Sequence, residues 1–287
     1  MYVDKVIKNT FTIDINGVEI RVYDSSREVG EYLTPTTLVF LHGSPGQISN
    51  WKYQLEYFKK YYRVIAYDQR GYGMSDKPKR VSINDYIRDL ARVLKTLNIE
   101  ESNTILIGHS FGGMIAQTYA SEHGIKGLVL IGSLVKLKVT LLDKFIWNTP
   151  PILWRKLLFT DNPITRRLYR DLFFSSATPE NVFKEFMEDN REYIESLPGY
   201  VFQYEKHFKD YDATSILPKI KCPTLIIVGK DDKVTPVEQS KQIHKLITNS
   251  KLIVIENAGH LVLYEKPEEV NKLIHEFIEQ LEKKQAK

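Results

Sequence analysis

The chain has 287 residues, 43% of them hydrophobic, with 40 basic and 36 acidic side chains and a formal net charge of +4 at pH 7. That is enough chain to bury a sizeable core in one large α/β domain, with or without an insertion, and it excludes disorder. A charge this small over this length argues against a nucleic-acid partner, and the single cysteine, Cys222, excludes an intramolecular disulfide and fits a reducing cytosol.

The first elements form a hairpin. Phe11 to Ile15 alternates apolar and polar, Asn16-Gly17 is a tight turn, and Val18 to Tyr23 alternates again. The ten residues from Met1 to Thr10 lack the apolar centre of a signal peptide, and nowhere is there a run of about 18 apolar residues, so the expectation is a cytoplasmic protein with no membrane insertion. Short apolar runs follow, separated by helical stretches: Thr37 to Leu41, Arg63 to Tyr67, Thr104 to Ile107, Gly127 to Ile131, Thr224 to Val228 and Leu252 to Ile255. Runs this apolar read as strands buried on both faces, and their alternation with helices reads as a parallel sheet. Ser82 with Asp85 marks a helix start, and Ile83, Tyr86, Ile87, Leu90, Val93, Leu94 and Leu97 recur behind it at helical spacing. The last helix is expected from Pro267 to about Leu281.

One stretch breaks the alternation. Between Ile131 and Thr224 no strand arrives at the usual distance, and residues 134–216 are rich in proline and aromatics, among them Phe145, Trp147, Trp154, Phe159, Phe173, Phe174, Phe183, Phe186 and Tyr193. Thr178-Pro179-Glu180 opens a helix with Val182, Phe183, Phe186, Met187 and Ile194 on its apolar face. The division expected is therefore a core of residues 1–133 and 217–287 with a helical cap at 134–216. Its aromatics are expected to face the catalytic edge, since so many rings must bury against something.

The chemistry concentrates at Gly108-His109-Ser110-Phe111-Gly112, which directly follows one apolar run and directly precedes a helical stretch. A strand that ends, a tight turn holding a serine in strained geometry, and a helix that starts at once make a nucleophile elbow; the helix N-terminus favours developing negative charge. A serine hydroxyl needs a base. His260, in Asn257-Ala258-Gly259-His260 after the last apolar run, lies at the sheet edge where ligands collect. His109 is expected to pack beside the elbow and His42 to support its loop. The acid that orients the imidazole is expected in Gly229-Lys230-Asp231-Asp232, where both aspartates qualify; Gly132-Ser133, after the strand ending at Ile131, offers no carboxylate. The amides of Phe111 and of Ser44, in His42-Gly43-Ser44-Pro45-Gly46, are the expected oxyanion donors. No spacing suggests a metal site or a phosphate cradle, so no cofactor is expected.

These residues, with Asp68-Gln69-Arg70-Gly71-Tyr72-Gly73-Met74-Ser75-Asp76, resemble the α/β-hydrolase superfamily over nearly the whole chain. The resemblance implies an α/β-hydrolase fold: a mostly parallel central sheet flanked by helices, with a helical cap. By the family's Gly-x-x-Asp pattern it implies that Asp232 is the acid. Serine at the elbow separates the chain from branches with aspartate there and leaves esterases, lipases, carbon–carbon bond hydrolases and proline iminopeptidases. The last typically carry His-Gly-Gly-Pro-Gly where this chain has Ser44. The expected substrate is a small ester of short to medium acyl chain; the alternatives are a short peptide with N-terminal proline, or a non-enzymatic receptor role. An iminopeptide would need a carboxylate for its amine. Glu185, Glu188, Glu192 and Glu195 are the cap acids considered, and none stands out from a solvated helix face. The oligomeric state is left open.

Overall fold

The Asn16-Gly17 turn takes positive φ at both residues (55° and 80°), the backbone a two-residue hairpin needs. It joins β1 (Thr10–Asp14) to β2 (Glu19–Asp24). β3 (Thr37–Leu41), β4 (Arg63–Tyr67), β5 (Thr104–His109), β6 (Gly127–Ile131), β7 (Thr224–Gly229) and β8 (Ser250–Ile255) complete one eight-stranded sheet in the order β1-β2-β4-β3-β5-β6-β7-β8. The pairs β1–β2 and β2–β4 are antiparallel and all others parallel. The architecture comes from a computed structural model, which describes residues 2–285.

The helices are α1 (Ser26–Val29), α2 (Lys52–Phe58), α3 (Ile83–Thr96), α4 (Phe111–Ala120), α5 (Leu141–Asn148), α6 (Arg155–Leu158), α7 (Pro163–Phe173), α8 (Glu180–Ser196), α9 (Val237–Leu246), α10 (Val262–Glu265) and α11 (Pro267–Gln285), with α3 and α4 on one face of the sheet and α2 and α11 on the other. Side chains alternate across each strand, so the sheet feeds two cores. Val39, Leu41, Leu106, Leu128 and Leu130 bury with α3 and α4, while Leu38, Phe40, Ile105, Ile107, Val129 and Ile131 bury with α2 and α11. Ser82 and Asp85 close a capping box at α3, the Ser82 amide donating to Asp85 Oδ2 at 2.8 Å. β3, β5, β6 and β7 are buried at every residue. β8 is not: as the edge strand it leaves Val254 exposed and Leu252 only partly covered, a correction to reading it as buried on both faces.

Between β6 and β7 the chain leaves the sheet. A backbone stem, Lys136 against Asp212 with the Ala213 amide on the Val135 carbonyl (2.8 Å), carries α5 to α8 and a 3-10 stretch, Gly199–Phe208. The aromatics divide. Trp147 and Trp154 bury in a cluster internal to this segment, with Ile146, Phe159 and Phe202, and Phe174 and Phe183 join the α2/α11 side of the main core. Phe173, Tyr204 and Phe208 are the rings that meet the C-terminal edge of the sheet: Phe173 lies 6.1 Å from the His260 ring, Tyr204 5.9 Å from Tyr72, and Phe208 stacks 5.0 Å from Phe111. Of the rings named from the sequence, Trp147, Trp154 and Phe159 thus stabilise the segment itself, Phe173, Phe174, Phe183, Phe186 and Tyr193 pack against the main core, and Phe145 is exposed. Among the described residues no helix is long and apolar enough to cross a membrane.

Candidate functional site

Ser110 ends β5 and precedes α4 with φ 51° and ψ −115°. A non-glycine residue there costs about 1–3 kcal/mol, sustained only when the surroundings over-determine it. They do: the Ser110 amide donates to the Ile131 carbonyl (2.9 Å), and the flanking glycines admit close backbone. A Cβ on Gly112 would stand 2.0 Å from the Leu41 carbonyl oxygen, and one on Gly108 2.5 Å from that of Gly112. The β3 loop is pressed against the serine by the same packing, since a Cβ on Gly43 would come within 3.2 Å of Ser110 Cβ. Gly43, the neighbour of Ser44, and Phe111, the first residue of α4, therefore adjoin Ser110 from two sides. Phe111 begins α4, so its amide has no acceptor within the helix and is free for a ligand.

His260 is 4% exposed and Asp232 5%. His260 Nδ1 donates to Asp232 Oδ2 at 2.9 Å. Asp232 Oδ1 accepts the amides of Val234 (2.9 Å) and Thr235 (2.7 Å), and the Thr235 hydroxyl lies 2.7 Å from Oδ2. Burial alone would raise the Asp232 carboxyl; the adjacent His260 and the Thr235 donors outweigh it and hold the group below the usual carboxylate range. The proton is thereby fixed on Nδ1, leaving Nε2 as the acceptor. Gly132, at φ 51°, makes room: a Cβ there would be 3.2 Å from Asp232 Oδ2 and 3.4 Å from His260 Nδ1. Asp231 faces elsewhere. It accepts from the Ser175 hydroxyl (2.5 Å), tying the α7–α8 corner to the β7 loop.

The neighbouring histidines are structural. His109 Nε2 bonds the His260 carbonyl oxygen (2.9 Å), and burial, with His260 beside it, pushes it down to about 3. His42 Nε2 accepts the Gln69 amide (3.0 Å), so its proton is on Nδ1 and reaches the Gly43 carbonyl (2.8 Å); burial keeps the ring neutral. Cys222, ahead of β7, has its thiol pushed up to about 11 by burial, against thiolate chemistry.

The acids considered in the α8 region are spoken for or peripheral. Glu185 bonds Lys52 and Tyr53, Glu192 bonds Lys5, and Glu195 accepts the Asp161 amide; Glu188 is exposed. The acid that reaches the site is one the sequence reading passed over. Glu205, from the 3-10 stretch, is partly buried against Ser44. Burial first, and Asp143 second, raise its carboxyl to about 7 despite the Ser44 hydroxyl, which itself lies 2.9 Å from the Tyr72 hydroxyl. The signal available was a lone carboxylate in an aromatic run, Tyr200-Val201-Phe202-Gln203-Tyr204-Glu205.

Comparison with known proteins bears on the family and the fold. Residues 36–267 match the family model described as alpha/beta hydrolase fold. The chain is 31% identical to a proline iminopeptidase of Saccharolobus solfataricus, over 97% of this chain and 93% of the relative. It is 29% identical to a proline iminopeptidase of Thermoplasma volcanium, over 84% and 88%. Among solved structures, an esterase from Exiguobacterium antarcticum superposes with a TM-score of 0.76 at 26% identity, over 94% of this chain and 99% of that one.

Proposed function

The chain belongs to the α/β-hydrolase fold family, and we propose that it is a serine hydrolase that releases an N-terminal residue carrying a free amine, in the manner of a proline iminopeptidase. In this reading Ser110 attacks the carbonyl while His260 Nε2 takes its proton. Asp232 holds the imidazole and stabilises its charged form. The oxyanion sits between the amides of Ser44 and Phe111, each typically worth about 3 kcal/mol. His260 then protonates the leaving amine and activates the water that frees the acyl group. Residues 134–216 act as the cap that shapes the acyl pocket.

The observation that carries the choice of substrate is Glu205. A carboxyl raised to about 7 beside an oxyanion loop is an unfilled electrostatic demand, and an ammonium group meets it. The expectation of an ester rested on the aromatic and aliphatic side chains of the insertion, and the peptide alternative was set behind it for lack of a distinct acid for the amine; Glu205 is a candidate for that acid. The two named iminopeptidase relatives point the same way. A second reading, a small-ester hydrolase, draws support from the stacked Phe111 and Phe208 rings near Ser110 and from the superposed esterase.

The two are separated by comparing kcat/KM for proline p-nitroanilide, its N-acetyl derivative and p-nitrophenyl acetate. The iminopeptidase reading requires the free-amine substrate to exceed its blocked form by about a hundredfold, near the upper end of the worth of a charged hydrogen bond. Higher efficiency on the ester than on either amide would replace it with the second reading.

A further inference from the structure

The loop that carries Ser44 has no regular structure until the 3-10 turn at Ile48–Trp51. From the core side Asp68 Oδ1 accepts the Ile48 amide (2.7 Å), and His42 and Gln69 fix the start of the loop. From the other side it is held by α8, an element of the insertion. The Tyr193 hydroxyl donates to the Gly46 carbonyl (2.6 Å) and accepts the Gly73 amide (3.2 Å). One turn earlier, Asn190 Oδ1 accepts Asn50 Nδ2 (2.9 Å), while Asn50 Oδ1 accepts the Gln47 amide (2.9 Å). Tyr2 packs on Tyr193 with ring centroids 5.5 Å apart and donates to Gln47 Oε1 (2.9 Å).

Tyr193 has no exposed surface and Asn190 only 4%. Three residues apart, they share one face of α8. A phenylalanine would fill the same volume at position 193; the hydroxyl, costly to bury unless bonded, is retained where two irregular loops each offer an otherwise unmatched backbone group. Gly46 is two residues from Ser44, so a shift of its carbonyl moves the Ser44 amide. We propose that Tyr193 is a positioning residue for the oxyanion site. Through it, helix α8 of the insertion sets the direction of the Ser44 amide. This rests on the reading of Ser44 as an oxyanion donor.

The test is Tyr193→Phe, with Glu185→Gln as the comparison: Glu185 also ties α8 to the core, through Lys52 and Tyr53, without touching the loop. Labelling of wild-type Ser110 by a fluorophosphonate comes first; its failure overturns the serine-hydrolase reading itself and is told apart from failure of the present inference. With labelling established, Tyr193→Phe is expected to lower kcat on the best substrate about tenfold, part of the roughly hundredfold effect of deleting an oxyanion donor. KM is expected to change less than about threefold, and a boronate transition-state analogue to bind about tenfold more weakly. Glu185→Gln is expected to keep wild-type kcat. If Tyr193→Phe gives no cooperative thermal transition, Asn190→Ala is measured by the same criteria. The inference is overturned if the folded variant keeps kcat and boronate affinity within about twofold of wild type, or if Glu185→Gln loses as much.

Discussion

Glu205→Gln tests substrate class and electrostatics together. The variant keeps the side-chain shape and removes the charge. In the wild type, the raised pKa means that the folded protein favours the protonated carboxyl, so this group's contribution to stability is complete below 4.5 and is lost as pH rises through about 7. The interval from 4.5 to about 7 corresponds to at most about 3 kcal/mol. The side chain is only partly buried, so about 1–2 kcal/mol is the realistic figure. Chemical denaturation is therefore expected to show Glu205→Gln gaining on the wild type by about 1–2 kcal/mol between pH 5 and pH 8. Function moves the opposite way. An ammonium substrate needs the ionised carboxylate, so the ratio of kcat/KM for proline p-nitroanilide to that for p-nitrophenyl acetate is expected to fall below about pH 7, while effects common to both reactions cancel in the ratio. In the variant the ratio loses this pH dependence and drops roughly ten- to hundredfold, the worth of a hydrogen bond to a charged group. Equal effects of the variant on both substrates, or a wild-type ratio independent of pH, would refute the reasoning.

Ser110→Ala is expected to reduce turnover by more than about a thousandfold and to abolish fluorophosphonate labelling, with the thermal transition retained; residual turnover above that level would sink the nucleophile assignment. Asp232→Asn is expected to cost about 10⁴ in kcat through loss of tautomer control, whereas Asp231→Asn loses only a bond to Ser175 and is expected to cost less than about tenfold. The reverse order would mean that the acid is misassigned. Gly132→Ala sets a methyl 3.2 Å from Asp232 Oδ2 at φ 51°. It is expected to lower stability by about 1–2 kcal/mol, measured by denaturation, and to lower kcat by pushing Asp232 and His260 out of register; unchanged kcat would show that the pair tolerates displacement.

What could be read from the chain and what could not differ by the range of the contacts involved. β3 to β7 were legible because central parallel strands are short, apolar on both faces and punctuated by helices. The serine elbow was legible because its constraint is local: the glycines at 108 and 112 are demanded by atoms a few residues away or on the adjoining strand. Asp231 and Asp232 could not be separated by residue type, because their directions depend on how the β7 loop turns; the Asp231 amide bonds the Ala258 carbonyl and that of Asp232 the Gly229 carbonyl. Only the family pattern chose between them. Glu205 was missed for two physical reasons. A 3-10 stretch has a three-residue repeat, matching neither helical nor strand spacing, and the groups that act on its buried carboxyl, Asp143 raising it and the Ser44 hydroxyl lowering it, are both distant in sequence. The same holds for Tyr193, whose hydroxyl meets Gly46 and Gly73. In the proposed reading, reaction chemistry is written in the core loops, where patterns are short, and substrate choice falls to contacts between those loops and residues 134–216, so the approach of Glu205 to Ser44 is where that choice has to be measured.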